Sequence, residues 1–390
     1  MKWSNCTHEL DIIGENFVDK SIVIYGASAI GQDVYKQVNF LNAVECFVDR
    51  NENLQASGIC DTKVISVAQL AKMDKKDHIV VIAVAGYNGM MIHKQLMNLG
   101  YQLGKNCYFF DTFLNYYMPI YALYAKHKLY FTSISFLLTT VCNLNCIGCL
   151  NFTSANQNRH HYDIEILKSN ADSFFANVDY VKKLHLSGGE PFLYPEYEGL
   201  LNYIGENYYD RIGDIFTATN GTVVPREPLY VLLKKYDVFV EIDDYRATLP
   251  ISLQNNDKII ELFKEKGIRY LDRGTDHWVN LDPAGQDNSN LTDKELGIWY
   301  DTCCNPYASI HEGKLYSCNY DDYAKEAGLV NHNEDDVMTF DKAGADFSTK
   351  KKILEFRYGF TKRGYVEFCK KCAGHEMTNK KHIPVAEQIR

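Results

Sequence analysis

The chain has 390 residues, 46% of them hydrophobic and 23% charged, with a net charge of −9; this fits a globular protein of two or three domains and argues against nonspecific nucleic-acid binding as its main task. The charge is uneven, for residues 341–390 hold 12 Lys and Arg against 6 Asp and Glu. No apolar run approaches the roughly 20 residues of a membrane helix and MKWSNCTHELDII lacks a signal-peptide core, so a cytoplasmic setting is expected, where twelve cysteines point to metal ligands or free thiols and not disulfides.

In chain order, SIVIY (21–25) reads as a buried strand entering the glycine turn GASAIG and a helix to about Phe40. VECFVD (44–49) and HIVVIAVA (78–85) read as further strands, the latter followed by an amphipathic helix from Gly89 to Leu99. Strands alternating with helices predict a parallel α/β domain over residues 1–111. YGASAIG resembles a Rossmann turn with Ser28 at the middle glycine, and Asp49 stands near the ribose-binding position. Nucleotide binding and a docking or dimerisation role both remain open for this domain. Cys6, Cys46, Cys60 and Cys107 show no ligand spacing and read as buried or free thiols. FLNYYMPIYALYAKHKLYF predicts a connector helix within 112–132, packed against the next domain, with tyrosines for packing.

The second domain, 133–300, opens with the strand SISFLLTTV (133–141), which runs into Cys142. Helix 163–176, strand KKLHLS, the turn GGEP, helix 196–207, strand DIFTATNG, helix 226–236, strand VFVEID, helix 255–266 and strand IRYLD follow. Such βα repeats suit a full or partial (β/α) barrel, whose chemistry lies at the C-terminal ends of the strands. The cysteine loop, GGEP, TNG and EIDD all fall at such ends. Cys142, Cys146 and Cys149 are soft ligands, and three without a near fourth suggest a [4Fe–4S] cluster with one iron left open. Zinc completed by His160 or His161 is the alternative.

CxxxCxxC at Cys142–Cys149 and LSGGEPFLYP with Gly188-Gly189-Glu190-Pro191 together resemble the radical S-adenosylmethionine (radical SAM) enzymes over roughly residues 130–300. The resemblance implies a partial (β/α)6 barrel. It also implies that the open iron chelates S-adenosylmethionine, that Glu190 holds the methionyl ammonium, and that Gly188 and Gly189 let the backbone approach. Asn220 would reach the methionyl or ribose groups and Asp243 the ribose; the plain alternatives are an ordinary turn and a capping or surface role. Cleavage of the cofactor would give a 5′-deoxyadenosyl radical that abstracts hydrogen from substrate, with an electron donor such as flavodoxin or ferredoxin. The family usually has an aromatic residue before the third cysteine; here it is Gly148.

Residues 301–390 carry a second group. ASIHEGKLYSC reads as a β-hairpin turning at Glu312-Gly313. C-x9-G-x4-C from Cys303, then Cys369-x2-Cys372, resembles the auxiliary-cluster half of the SPASM and Twitch extensions. Cys303 or Cys304 with Cys318, Cys369 and Cys372 would hold a second [4Fe–4S] cluster, four-cysteine zinc being the alternative. Adjacent side chains point to opposite faces; Cys303 is the expected ligand and Cys304 the expected hydrogen donor, or else a passive thiol. The basic surplus would offset cluster charge, receive an anionic substrate, or form a solvated face. HIPVAEQ (382–388) resembles the ending of radical SAM proteins from capsule-type gene clusters. The expected reaction is therefore epimerisation, dehydrogenation or dehydration of a sugar, nucleotide-sugar or glycan. A peptide or protein maturase and a noncatalytic zinc-stabilised binding protein are the alternatives.

Overall fold

The computed structural model describes residues 9–303, 307–340, 344–360, 362–375 and 379–389. The fold divides between Tyr130 and Phe131 into two compact units. The first contains strands β1 (Ser21–Tyr25), β2 (Val44–Val48), β3 (Val64–Ile65), β4 (His78–Ile82) and β5 (Cys107–Phe109). They pair in parallel in the order β3-β2-β1-β4-β5. The order reverses between β1 and β4, as in an open doubly wound sheet. Ile22, Val23, Ile24 and Ile79 to Ile82 are wholly buried because both faces of such a sheet are covered. Burying each large aliphatic side chain contributes about 1.5–3 kcal/mol. Cys46 and Cys107 lie in this core, as passive thiols would.

After β1 the chain turns at Gly26, whose φ of +110° disfavours any side chain. Asp49, which stands near the expected ribose-binding position, braces this turn. Its Oδ2 accepts from the Ala27 amide at 2.9 Å and its Oδ1 from the Asn51 amide at 3.0 Å. The expected connector is a helix at Met118–Lys126, preceded by a π-turn at Phe113–Tyr117. It belongs to the first unit. Six consecutive buried residues, Met118 to Leu123, make it a core helix. Phe17 packs on Tyr121 with centroids 5.5 Å apart, and the Tyr121 hydroxyl donates to the Lys20 carbonyl at 2.6 Å.

The second unit is built on β6 (Tyr130–Leu137), β7 (Tyr180–Ser187), β8 (Ile212–Thr219), β9 (Phe239–Asp243) and β10 (Tyr270–Arg273). Helices Ile164–Asn177, Tyr197–Tyr208, Glu227–Lys235 and Asn256–Lys266 link them in turn. The strands lie side by side in the order β10-β9-β8-β7-β6, as a partial α/β barrel requires. Their C-terminal ends therefore share one rim, which carries the cysteine loop, GGEP, TNG and Asp243-Asp244.

Beyond β10, β11 (Trp278–Val279) leaves the sheet. The chain returns as β12 (Ala308–His311), parallel to β6, then β13 (Lys314–Tyr316) and β14 (Val337–Thr339), both antiparallel to their neighbours. The sheet thus runs across the expected domain boundary at 300. The β12–β13 hairpin turns at Glu312 and Gly313 with φ of +48° and +72°, the two positive values of a type I′ turn. β15 (His382–Ile383) pairs antiparallel with β11.

Candidate functional site

Pairing between β6 and β7 continues past the strand ends. The Leu138 amide donates to the Ser187 carbonyl at 2.8 Å, Gly189 to Thr139 at 2.8 Å and Glu190 to Val141 at 2.9 Å. The GGE turn is thereby bonded, amide by amide, to the segment that delivers Cys142. A Cβ on Gly189 would sit 2.4 Å from the Val141 oxygen and 3.0 Å from the Cys142 Cβ, so only glycine fits. Gly188 is less constrained; its Cβ would meet the Thr139 methyl at 2.9 Å. Pro191 opens the short turn Pro191–Leu193.

Cys142, Cys146 and Cys149 border one apolar cluster with Leu144, Tyr245, Leu249, Trp278, Val385 and Ala386. Burial pushes the Cys142 thiol up to about 12 and Cys146 to about 11, and the neighbouring sulfurs add to both shifts. The Leu144 amide lies 3.4 Å from the Cys142 sulfur, and the Gln388 Nε2 lies 3.1 Å from that of Cys146. Thiols held this way ionise when a metal ion supplies positive charge, which is the chemistry of cluster ligands. Among the described residues no three His, Cys, Asp or Glu side chains are gathered as around a single metal ion. His161 faces the Thr139 hydroxyl at 2.8 Å and His160 the Asn158 carbonyl at 2.9 Å. The two rings weighed as zinc ligands are thus held by the loop.

Glu190 is completely buried, and burial raises its carboxyl to about 7 against hydrogen bonds that lower it. Oε1 accepts from the Phe192 amide at 3.1 Å and the Thr219 hydroxyl at 2.9 Å; Oε2 accepts from the Asn220 amide at 2.8 Å. The carboxylate therefore ties the end of β7 to the end of β8, and Oε2, an oxygen that can accept two hydrogen bonds, takes one from the Asn220 amide. Asn220 is turned inward. Its Oδ1 accepts from the Thr222 amide and hydroxyl, while its Nδ2 donates to Asn143 at 3.1 Å and lies 3.6 Å from the Cys142 sulfur. Burial raises the Asp243 carboxyl to about 6, and the Tyr245 hydroxyl donates to it at 2.8 Å.

Strand alternation puts Leu184 and Leu186 on the helix-covered face and Lys183 and His185 on the other. His185 lies 3.3 Å from the Ser135 hydroxyl and packs between Phe216 and Tyr307, at 4.9 and 5.1 Å between centroids. Burial, aided by Lys183, pushes its pKa down to about 3, so the ring is neutral. Arg273 reaches Glu241 at 2.7 Å on the same face.

Cys303, Cys318, Cys369 and Cys372 line one cavity with Tyr300, Tyr320, Phe368 and Arg357. Burial raises the Cys318, Cys369 and Cys372 thiols, each further raised by a neighbouring sulfur, and pushes Cys372 to about 12. Asn288 donates to the carbonyls of Cys369 and Cys372 at 2.9 and 3.0 Å, fixing the CxxC turn. Cys304 lies outside the described residues. From the basic surplus, the half-buried Arg357 lines this cavity, whereas Lys350, Arg363 and Lys370 pair with carboxylates.

Sequence reasoning overlooked four supporting side chains: Gln388, Asn288, Tyr245 and Arg159, whose guanidinium reaches Asn145 at 2.8 Å. Each acts across a long sequence separation or from a featureless loop, and only Tyr245, beside the EIDD motif, carried a local signal.

Residues 136–275 match the Radical SAM superfamily. An uncharacterised protein of Methanocaldococcus jannaschii is 32% identical over 106 residues, 27% of this chain and 35% of that protein. A GTP 3′,8-cyclase of Syntrophomonas wolfei is 34% identical over 99 residues, 25% of this chain and 29% of that protein. The matches thus span about a third of the length of these curated relatives. BtrN in complex with AdoMet and 2-DOIA is similar in structure at 18% identity and a TM-score of 0.37, covering 65% of this chain and 98% of that one. Native anSMEcpe with bound AdoMet and a Kp18Cys peptide follows at 16% and 0.39, covering 62% and 86%. Since the family match falls on the segment holding the cysteine loop and the strand ends around it, residues 136–275 are a radical SAM domain.

Proposed function

We propose that Cys142, Cys146 and Cys149 hold a [4Fe–4S] cluster and that Gly188, Gly189, Glu190, Pro191, Asn220 and Asp243 frame an S-adenosylmethionine site. The observation that carries this reading is the amide ladder joining the cysteine loop to the GGE turn, which makes the two motifs one piece of backbone. The remaining acceptor capacity at Glu190 Oε2 suits a ligand ammonium. Asn220 acts by holding Asn143 and Cys142 in place, and Asp243 is oriented by Tyr245. Bound there, cluster and cofactor supply a 5′-deoxyadenosyl radical. The protein's own part is to orient both and to exclude water with the apolar cluster around the cysteines.

The substrate we infer is a sugar or nucleotide-sugar. Lys183, His185, Glu241 and Arg273 give one face of the sheet donors and acceptors suited to hydroxyl and phosphate groups. The cyclase relative acts, by its name, on GTP, which shares with a nucleotide-sugar its nucleoside phosphate part. The shared cavity of Cys303, Cys318, Cys369 and Cys372 supports a second, closed [4Fe–4S] cluster, with Arg357 offsetting its charge. The strand order of the first unit supports a Rossmann-like domain, and the engagement of Asp49 favours docking or dimerisation over nucleotide binding.

Anaerobic reconstitution tests the reading. The chain should bind about eight irons, and about four after Cys142, Cys146 and Cys149 are changed to Ala. With dithionite and S-adenosylmethionine the unaltered chain should release 5′-deoxyadenosine, and the triple variant none. Stoichiometric zinc without iron overturns it. Deuterium passing from a labelled nucleotide-sugar into 5′-deoxyadenosine supports the substrate class; transfer only from peptides rejects it.

A further inference from the structure

HIPVAEQ has no part in the mechanism above, yet it lies on the cysteine loop. β15 enters beside β11, and the Asn280 amide donates to the Lys381 carbonyl at 2.8 Å. The segment then pairs with the loop itself. The Ile147 amide donates to the Glu387 carbonyl at 2.7 Å, the Ile389 amide to the Asn145 carbonyl at 2.8 Å, and Cys146 stands opposite Gln388. Val385 and Ala386 are buried against the cysteines. Ile383 fills the space beside Gly148, where a Cβ would come within 2.2 Å of its methyl; Gly148 also has φ of +65°.

Gln388 uses both ends of its amide. Oε1 accepts from the Asn145 amide at 2.7 Å, while Nε2 donates to the Cys146 sulfur at 3.1 Å and the Ala386 carbonyl at 2.7 Å. A neutral donor aimed at a ligand sulfur stabilises negative charge there, and a cluster gains negative charge when reduced.

We propose that residues 382–389 are a strap that locks the three-cysteine loop, and that Gln388 is a positioning residue that raises the reduction potential of the cluster held by Cys146. This rests on the cluster assignment above. The two roles of Gln388 separate by substitution. Gln388→Ala removes all three hydrogen bonds. Gln388→Glu keeps an acceptor for Asn145 but loses the donor and brings a carboxylate to the sulfur.

Potentiometric titration of the full anaerobic chain, followed by electron paramagnetic resonance, reads the potential; the relevant signal is the one that changes on adding S-adenosylmethionine. The midpoint should fall in Gln388→Ala and fall further in Gln388→Glu. Bleaching in air should be at least roughly tenfold faster in Gln388→Ala, as loss of the hydrogen bond to a charged sulfur allows. A merely structural strap gives the reverse order, with Gln388→Glu the milder change, and that order overturns the proposal, as do unchanged midpoints. Should Gln388→Ala fail to retain iron, Gln388→Glu against the unaltered chain carries the comparison. An unaltered chain with no cofactor-responsive iron signal overturns the cluster assignment and this proposal together, whereas failure of the strap alone leaves that signal intact.

Discussion

Glu190 shows how much one side chain does at this site. Its carboxylate takes two amides and a hydroxyl from two neighbouring segments, all in a place closed to water. Glu190→Gln would turn an amide nitrogen toward either the Asn220 amide or the Phe192 amide and Thr219 hydroxyl, setting donor against donor on at least one side. A loss of about 1–3 kcal/mol is expected, together with weaker S-adenosylmethionine binding. Thermal melts and equilibrium dialysis check these effects, and a variant with unchanged cofactor affinity rejects the ammonium contact. Gly189→Ala meets a backbone oxygen that cannot step aside, so a cost of about 1–3 kcal/mol and fewer irons per chain are expected. Gly188→Ala should be milder because its obstacle is the Thr139 methyl, which can rotate. Equal iron loss in the two glycine variants contradicts this account.

At the scale of elements, β12 is held to the helix Asn319–Glu326 by Asp322. This residue accepts from the Ser309 hydroxyl at 2.7 Å and lies 3.1 Å from the His311 ring. Burial alone would lower the His311 pKa, but Asp322, with Glu326 and Glu312, outweighs it and raises the pKa above 6.5. A raised histidine pKa gives stability that is complete below the unfolded value and is lost as pH climbs through the folded value. The denaturant midpoint of the second unit should therefore fall as pH rises above about 6.5, and His311→Gln should flatten that slope. An unchanged slope in the variant removes this pair as its source. The elements were largely legible in the sequence. SIVIY, HIVVI and VFVEID are strands because β-branched runs on a covered sheet are a local signal. Cysteine spacing and GGEP were legible as chemistry. What escaped was long-range. Met118–Lys126 is apolar on every side, so its pattern says that it is buried but not in which core. Gln388 contacts Cys146 across 242 positions and has no periodicity to reveal it. Asn220 reads equally as a ligand contact or a turn until Thr222 is seen to take its oxygen.

At the scale of the molecule, the two units do different physical work. The first has its own core on five strands, with Cys46 and Cys107 packed as apolar groups. In the second, both thiol groups hang on one eight-stranded sheet, Cys142 just beyond β6 and Cys318 just beyond β13, two strands away. Metal bound to buried ligands stabilises the folded form to which they belong, because the unfolded chain does not hold the ligands together. Iron removal should therefore weaken the unit of residues 131–390 and leave that of residues 7–130 unchanged. Calorimetry of the full chain before and after anaerobic chelation measures this. Two transitions are expected in the loaded protein. After stripping, one should fall by several degrees and the other hold its temperature, with residues 7–130 expressed alone melting at the temperature that holds. If chelation lowers both transitions equally, the division of the core at Tyr130 is not a thermodynamic one, and the first unit draws its stability from the iron-bearing half.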